Sequence, residues 1–189
     1  MTCSRYTESD SGRIKVVTSA TRPTGASRYI GQHIYETDTD RRLYFDGTGW
    51  VVLSEPEQAW SPSFASGVTV GNGAWTLAGL QRADGRMSFA GTFTLGSTSA
   101  VTGAIVLYLP VAAKRSPDAR DVSGLAAISG GFYDLTGGGG SVNAVTFFAL
   151  AAGGTYTSIA STSETVPASW TTGSALTARG TYAMASRYS

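Results

Sequence analysis

Apolar and polar positions alternate with a period of two through much of the chain, which is the pattern of β-strands that bury one face. Two segments show it most clearly, residues 86–96 ("RMSFAGTFTLG") and residues 173–185 ("GSALTARGTYAMA"). The apolar positions that share a face there are Met87, Phe89, Phe93 and Leu95 in the first segment and Tyr182 and Met184 in the second. Apolar residues at helical spacing are not sustained anywhere. The pattern therefore predicts an all-β chain.

Continuous apolar runs and glycine-rich segments extend this prediction toward the C-terminus. The runs "AIVLYLP" (104–110) and "AVTFFALA" (144–151) have strand length and suit a position buried between two sheets. We expect turns at "RADGR" (82–86) and a loop at "TGGGG" (136–140). About eight strands at roughly even spacing predict an antiparallel β-sandwich of the jelly-roll type.

Residues 31–53 predict a separate, smaller β-meander. Apolar and polar positions alternate in "QHIYET" and "RRLYFD", and "WVVL" completes a third short strand after the turns "DTD" and "GTG". Hairpins of this size are marginal in water, so the meander needs a partner surface. That surface could be the C-terminal domain, another copy of the chain or a larger particle. The aromatic residues that we expect to be hidden in such an interface are Tyr35, Tyr44, Phe45 and Trp50.

The acids of the meander invite a cation-site hypothesis. Glu36, Asp38 and Asp40 alternate with Thr, but the glycine and the closing glutamate of an EF-hand loop are missing. Arg41 and Arg42 follow and offset much of the charge. Because Asp favours turns by bonding the nearby backbone, a structural turn is the preferred interpretation.

Charge and its distribution divide the chain and exclude some partners. The charged fraction is 14%, below the typical value of about 25%, and the net charge is +1, which gives no electrostatic basis for binding nucleic acid or an acidic membrane. Residues 1–60 hold 7 of the 14 basic and 8 of the 13 acidic residues. We therefore predict an N-terminal segment at 1–55, a linker at 56–60 and a β-sandwich domain at 61–189.

Targeting and redox features are sparse. Cys3 is the sole cysteine, so no disulfide can form within one chain. The first residues lack the apolar core of a signal peptide, and the apolar runs are too short to span a bilayer. We expect a protein made in a cytoplasm, without membrane insertion.

Catalytic residues are few. His33 is the sole histidine, and no nucleophile elbow, zinc cluster or phosphate-binding loop occurs. A small glycan hydrolase would need a carboxylate pair, and the C-terminal domain supplies Asp84, Asp118, Asp121, Asp134 and Glu164. None of these carboxylates lies in an aromatic-rich context, so we predict no enzyme activity, cofactor or metal. Aromatic residues suit binding better, since they stack on sugars or anchor interfaces, although core packing is the preferred role for Trp75 and Trp170.

Residues 22–51 resemble a short module that is frequent in structural proteins of tailed bacteriophages. The matching elements are Arg22-Pro23, Gly31-Gln32, Glu36-Thr37-Asp38-Thr39, Asp46-Gly47 and Trp50. The remainder is more loosely similar to a β-rich domain of such proteins, through a Gly-Asn-Gly before the second strand, a strand ending Leu-Pro and a late Trp before Gly-Thr-Tyr.

The resemblance implies a virion component without catalytic residues, commonly trimeric. We expect residues 1–55 to attach it to other virion proteins and help it oligomerise, and the β-sandwich to contact a host-surface glycan, as in a minor tail or tail-fibre protein. The alternative within the virion is a head fibre or capsid decoration protein. The alternative of another class is the small cell-wall glycan hydrolase.

Overall fold

The computed structural model describes residues 14–118, 121–153 and 156–186, and these form an almost entirely β structure. Within the described residues the strands belong to a small sheet, sheet A, and a large curled antiparallel sheet, sheet B. The helical content of the same residues is limited to 3-10 turns at Ser19–Thr21 and Gly25–Ser27. The predicted all-β class, with a small meander ahead of a larger antiparallel unit, is confirmed.

Sheet A contains the predicted meander and one further strand. Its strands, in spatial order, are β1 (Lys15–Val17), β2 (His33–Glu36), β3 (Arg41–Phe45) and β4 (Trp50–Ser54). Strand β1 runs parallel to β2, and the other neighbours are antiparallel. The sequence analysis missed β1, because three residues are too few for alternation to be visible.

Sheet B is formed by the remaining strands. They are β5 (Gln58–Ala59), β6 (Phe64–Thr69), β7 (Ala74–Ala83), β8 (Arg86–Thr94), β9 (Ala100–Tyr108), β10 (Val122–Ile128), β11 (Gly131–Ser141), β12 (Ala144–Gly153), β13 (Tyr156–Ser161) and β14 (Ala175–Ala183). Their spatial order is β5-β7-β8-β14-β10-β11-β12-β9-β6, and β13 pairs with β12 beside β9. The ten strands counted in the described residues exceed the eight expected, because short edge strands leave little trace in the sequence.

The curl of sheet B brings its two ends together around one core. Strands β5 and β6 lie at opposite ends of the spatial order, yet only residues 60–63 separate them in the chain. The ring of Phe64 lies 5.3 Å from Trp75 and 5.1 Å from Phe93, so β6 folds over β7 and β8. The inward faces of the strands meet in a cluster whose largest fully buried members are Tyr182, Phe93, Phe147, Met87, Ile105, Leu107, Ile128, Leu135 and Leu176.

Burial confirms the alternating segments and corrects the apolar runs. Met87, Phe89 and Phe93 are buried as predicted, and Trp75 and Trp170 pack against the core. In the run 104–110, however, Ile105 and Leu107 are fully buried while Tyr108 is 49% exposed. That strand therefore buries one face only, because sheet B curls around a single core and leaves its outer surface uncovered.

The predicted loop at 136–140 is wrong, since this segment lies inside strand β11. A Cβ on Gly137 would meet the side chains of Val122 and Val145 at 2.8 Å, and one on Gly140 would overlap the carbonyl group of Ala144. The glycines are therefore explained by close approach to neighbouring strands and by the irregular register between Gly138 and Ser141.

The segment expected to be a linker takes part in sheet B. Gln58 and Ala59 pair with Leu80 and Gly79 of β7, so the sheet begins three residues before the predicted domain start at residue 61. Residues 1–13 of the predicted N-terminal segment and residues 187–189 of the predicted β-sandwich domain lie outside the described residues.

Candidate functional site

The glutamate of the module motif is an internal ion-pair partner. Glu36 is fully buried on the same face of β2 as Ile34. Arg22 Nε donates to its Oε1 at 2.5 Å, and Thr39 Oγ1 donates to its Oε2 at 2.9 Å. A buried carboxylate is tolerated only when it is paired and hydrogen-bonded, so both oxygens of Glu36 serve the fold.

The aspartates of the same motif also bond within the chain. Asp38 accepts hydrogen bonds from the hydroxyl and backbone N–H of Ser19, and these bonds lower the pKa of Asp38 below its ordinary value. Asp40 has a φ of 51° at the turn and accepts a hydrogen bond of 2.6 Å from Tyr35, which raises the pKa of that phenol. These acids therefore have different partners, and Asp40 lies at the turn itself. Among the described residues there is no group of three His, Cys, Asp or Glu positioned for a metal ion.

The four residues of the predicted interface lie on two different faces of sheet A. Phe45 and Trp50 are each 6% exposed, and their rings lie 5.5 Å apart in the small core of this sheet. The chain itself covers this face, because Pro23 is buried and the Arg28 guanidinium lies 4.6 Å from the ring centre of Phe45.

Tyr35 and Tyr44 lie on the other face of sheet A, where both are partly exposed. Tyr44 stacks on His33 with ring centres 6.1 Å apart, and Val16, in the neighbouring strand β1, is 64% exposed. A shallow depression of about 550 Å³ on this side is lined by residues that include Ile14, Val16, Tyr35, Arg42 and Pro56. Any contact between sheet A and another molecule through the predicted residues would therefore use the tyrosines, and this stays a prediction.

Glu55 connects the two sheets. Its side chain has no exposed surface, and its Oε2 lies 2.9 Å from Nε of Arg41 in sheet A. Its Oε1 accepts a hydrogen bond of 3.2 Å from the backbone N–H of Arg82 in sheet B. The side-chain amide of Gln81 donates a hydrogen bond of 2.8 Å to the backbone carbonyl of Glu55. Side-chain and backbone bonds thus join sheet A to strand β7.

A hollow of about 460 Å³, lined by both polar and apolar residues, lies on the outward face of sheet B, across β7, β8, β14 and β10. One row of residues crosses the hollow from strand to strand, in the order Gly79, Ala90, Arg179 and Ser123, and its members pair directly. Because Gly79 in β7 and Ala90 in β8 have little or no side chain, the surface is recessed at these two strands. The rim includes Glu57, Gln81, Ser88, Asp121 and Thr181.

An apolar patch occupies the outward face of the neighbouring strands β10 to β13. Leu125, Phe132, Leu150 and Ile159 are 36%, 74%, 65% and 69% exposed, respectively. Leu150 pairs with Ile159, and Leu125 pairs with Asp134, an exposed carboxylate on the same face of β11 as Phe132. Large apolar side chains that are exposed as a group, rather than singly, mark interaction surfaces.

Sequence reasoning found neither the hollow nor the patch, since both depend on strand pairings between residues far apart in the chain. Ser88 and Thr181, for example, are directly paired and their hydroxyls lie 3.0 Å apart. No local pattern carries that information.

The candidate catalytic carboxylates lie at several places in the fold, and two of them, Asp118 and Asp121, share one partner. Asp84 lies in the tight turn between β7 and β8 with a φ of 48°. Asp118 and Asp121 both pair with Arg115, at 3.2 Å and 2.9 Å. Asp134 is exposed in strand β11, and Glu164 is exposed after β13.

The fold defines this chain as an all-β protein of one small and one large curled sheet. No family model, curated protein or solved structure matches it. The described part of the chain contains no helix with the length and apolar character that crossing a membrane would require.

Proposed function

We propose that this chain is a non-enzymatic structural protein of a tailed-bacteriophage virion, a minor tail or tail-fibre component that forms a homotrimer. In this proposal the apolar patch is the contact between copies. The outer face of sheet A attaches the trimer to other virion proteins, and sheet B contacts a glycan on the host surface. The resemblance of residues 22–51 to a module of phage structural proteins supports a role in a virion. The exposed surfaces of the two sheets are the candidates for its contacts.

The observation that carries the proposal is the apolar patch. Phe132, Leu150 and Ile159 each expose more than half of their surface on three adjacent strands. Because soluble monomers rarely leave such residues together on one face, covering them with a second copy is the economical explanation. A symmetric oligomer would also protect the edge strand β13.

The architecture of sheet A supports an attachment role. Its small core is closed on one side by its own residues 22–30, including the buried Pro23 and the Arg28 contact with Phe45. The opposite side presents Val16, Tyr35 and Tyr44. Tyr is enriched at protein interfaces because it combines a large apolar area with a polar tip.

The test of oligomerisation is the light-scattering mass of the full chain and of a variant with Phe132→Ser and Ile159→Ser. We expect a trimer that dissociates to monomer in the variant. These side chains are 74% and 69% exposed, so their loss changes the stability of one subunit little. Leu77→Ser is the matched control, because Leu77 is 88% exposed outside the patch.

A wild-type mass equal to one chain would contradict the trimer, and a trimer that survives the double substitution would place the contact elsewhere. The virion role is tested separately, by mass spectrometry and gold-antibody labelling of purified phage particles. Label on the tail supports the proposal, and label on the head supports the decoration alternative. Absence of the chain from the particles would overturn both.

A further inference from the structure

The hollow on sheet B has the size and position of a ligand site. Its volume of about 460 Å³ falls within the range of roughly 300–1,000 Å³ that is usual for small-molecule pockets. It exists because the paired residues Gly79 and Ala90 have little or no side chain, while Gln81 and Ser88 rise in the next row. The depression is therefore built by the register of paired strands.

The first rim of the hollow carries a carboxylate. Glu57 extends over the floor, and its Oε1 occupies the space that a Cβ on Gly79 would need. A larger residue at position 79 would displace this carboxylate. The glycine and the carboxylate are thus coupled, and together they place an acidic oxygen at the edge of the hollow.

The opposite rim combines donors and acceptors. Arg179 Nε donates a weak hydrogen bond of 3.4 Å to Ser123 Oγ, which uses one of the five N–H donors of the guanidinium. The Asp121 carboxylate is held in place by Arg115 at 2.9 Å. The hydroxyl of Thr181 also lines this side.

These groups match the chemistry of a neutral sugar. Each hydroxyl of a pyranose ring both donates and accepts, so neighbouring hydroxyls suit a carboxylate on one side and a guanidinium on the other. Glu57 and Asp121 are balanced by Arg179 and Arg115, so the surroundings favour neither an anion nor a cation. Hydroxyls of Ser88, Ser123 and Thr181 complete the polar lining.

We propose that this hollow binds one neutral hexopyranose unit above Ala90, between Arg179 on one side and Glu57, whose carboxylate covers Gly79, on the other. The inference rests on the proposed function, because it locates the host-glycan contact on sheet B. It names a ligand class and a place for that contact.

The main variant of the experiment fills the hollow and leaves its polar groups in place. Ala90 is an exposed floor residue of β8, and Ala90→Tyr would occupy the space above it. Thr94→Tyr is the matched control, because Thr94 is exposed on the same face of the same strand and does not line the hollow. Both variants are first compared with the wild type by thermal unfolding.

The probes are the methyl glycosides of glucose, galactose, mannose, N-acetylglucosamine and rhamnose, measured with the full chain by saturation-transfer NMR. We expect at least one to bind with a dissociation constant of about 1 mM, which is typical of a small polar ligand and corresponds to roughly −4 kcal/mol. Ala90→Tyr should weaken that binding at least tenfold and Glu57→Gln about fivefold. Thr94→Tyr should leave it within twofold of the wild type.

The outcomes separate this inference from the proposed function. Binding that Ala90→Tyr leaves unchanged would overturn the site in the hollow, while the glycan contact would stand. Failure of all five glycosides to bind the wild type would also overturn the inference, while particle labelling would still decide the virion role. A chain absent from the particles that nevertheless binds sugar in the hollow would overturn the function alone.

Discussion

Buried polar residues hold the strands of this protein together where the backbone ladder is interrupted. Thr162 is fully buried between β9 and β13, which flank the same edge of β12. Its hydroxyl donates to the carbonyl of Phe147 at 3.2 Å and accepts the N–H of Ile105 at 3.0 Å. One side chain thus continues the hydrogen bonding that no strand supplies there.

Tyr182 is a second residue of this kind, and its burial has a consequence for pH. The ring is 2% exposed, and the hydroxyl donates to the carbonyl of Val111 at 2.7 Å. Burial raises the pKa of Tyr182 from its ordinary value near 10 to about 12. The folded protein therefore holds this proton more tightly than the unfolded chain does.

The first prediction is a loss of stability at alkaline pH that depends on Tyr182. The contribution of its raised pKa is fully present below pH 10 and is lost as the pH rises through about 12. Two pKa units correspond to at most about 3 kcal/mol. Tyr182→Phe should lower the free energy of unfolding by about 1 kcal/mol at pH 8, through the lost hydrogen bond.

The measurement is urea unfolding at intervals between pH 8 and pH 12. The stability advantage of the wild type over Tyr182→Phe should vanish and then reverse across the upper half of this range. Parallel pH profiles for the two proteins would contradict the raised pKa.

Strand β6 shows how an element is bent into place by its glycine. Its pairing with β9 is irregular on both sides of Ser66, and Gly67 has a φ of 82°. Irregular register bends a strand, and the bend lets Phe64 reach the rings of Trp75 and Phe93. The left-handed conformation at Gly67 therefore serves the closure of sheet B.

The second prediction concerns Gly67→Ala. The new Cβ would overlap the carbonyl oxygen of Ala104 and force an alanine into a positive φ. We expect the free energy of unfolding to fall by at least about 2 kcal/mol. Gly103→Ala, in the partner strand β9, is the control, because no heavy atom lies within 4 Å of its new Cβ.

The measurement is the free energy of unfolding in urea for both variants and the wild type. The control should lie within about 0.5 kcal/mol of the wild type. Equal stability of Gly67→Ala and Gly103→Ala would show that β6 tolerates a different bend.

At the scale of the whole molecule, the buried side chain of Glu55 is one of the connections between sheets A and B. It pairs with Arg41 of sheet A, and its Oε1 accepts from the backbone N–H of Arg82 in sheet B. The backbone N–H of Asp84 also donates to the carbonyl of Leu53 at 3.2 Å. In the described part of the chain, sheet A has four short strands and a core of six buried residues, so we expect these bonds to couple its stability to that of sheet B.

The third prediction is that Glu55→Gln uncouples the sheets. Loss of a hydrogen bond to a charged group costs about 1.5–3 kcal/mol. We expect a cost near the lower end of this range, because the side chains of Arg41 and Arg82 are 23% and 32% exposed. Native-state amide exchange should then show sheet A opening about tenfold or more faster, while sheet B changes little. Glu164→Gln is the surface control, since Glu164 is exposed.

In the wild type and in Glu164→Gln, the slowest amides of both sheets should exchange with similar protection. Retention of full protection in sheet A of Glu55→Gln would contradict the coupling and would leave the sheets joined by backbone bonds alone.

Local sequence pattern determined the fold class and much of the strand content. Alternation at Met87, Phe89 and Phe93 identifies the buried face of β8, because side chains of a strand point alternately to its two faces. The meander of sheet A followed from the same rule, and the Asp84-Gly85 turn from the preference of these residues for positive φ. These features depend on neighbours a few residues apart.

Tertiary structure decided what those strands enclose and display. Some glycines lie in turns, and others, such as Gly137, lie between packed strands. The difference depends on residues far away in the chain. The burial of Phe45 and Trp50 beneath the chain's own residues, and the assembly of the hollow and the apolar patch, likewise arise from pairing between distant strands. A sequence pattern fixes which face of a strand is apolar, but the curl of the sheet and the register of its neighbours decide what that face meets.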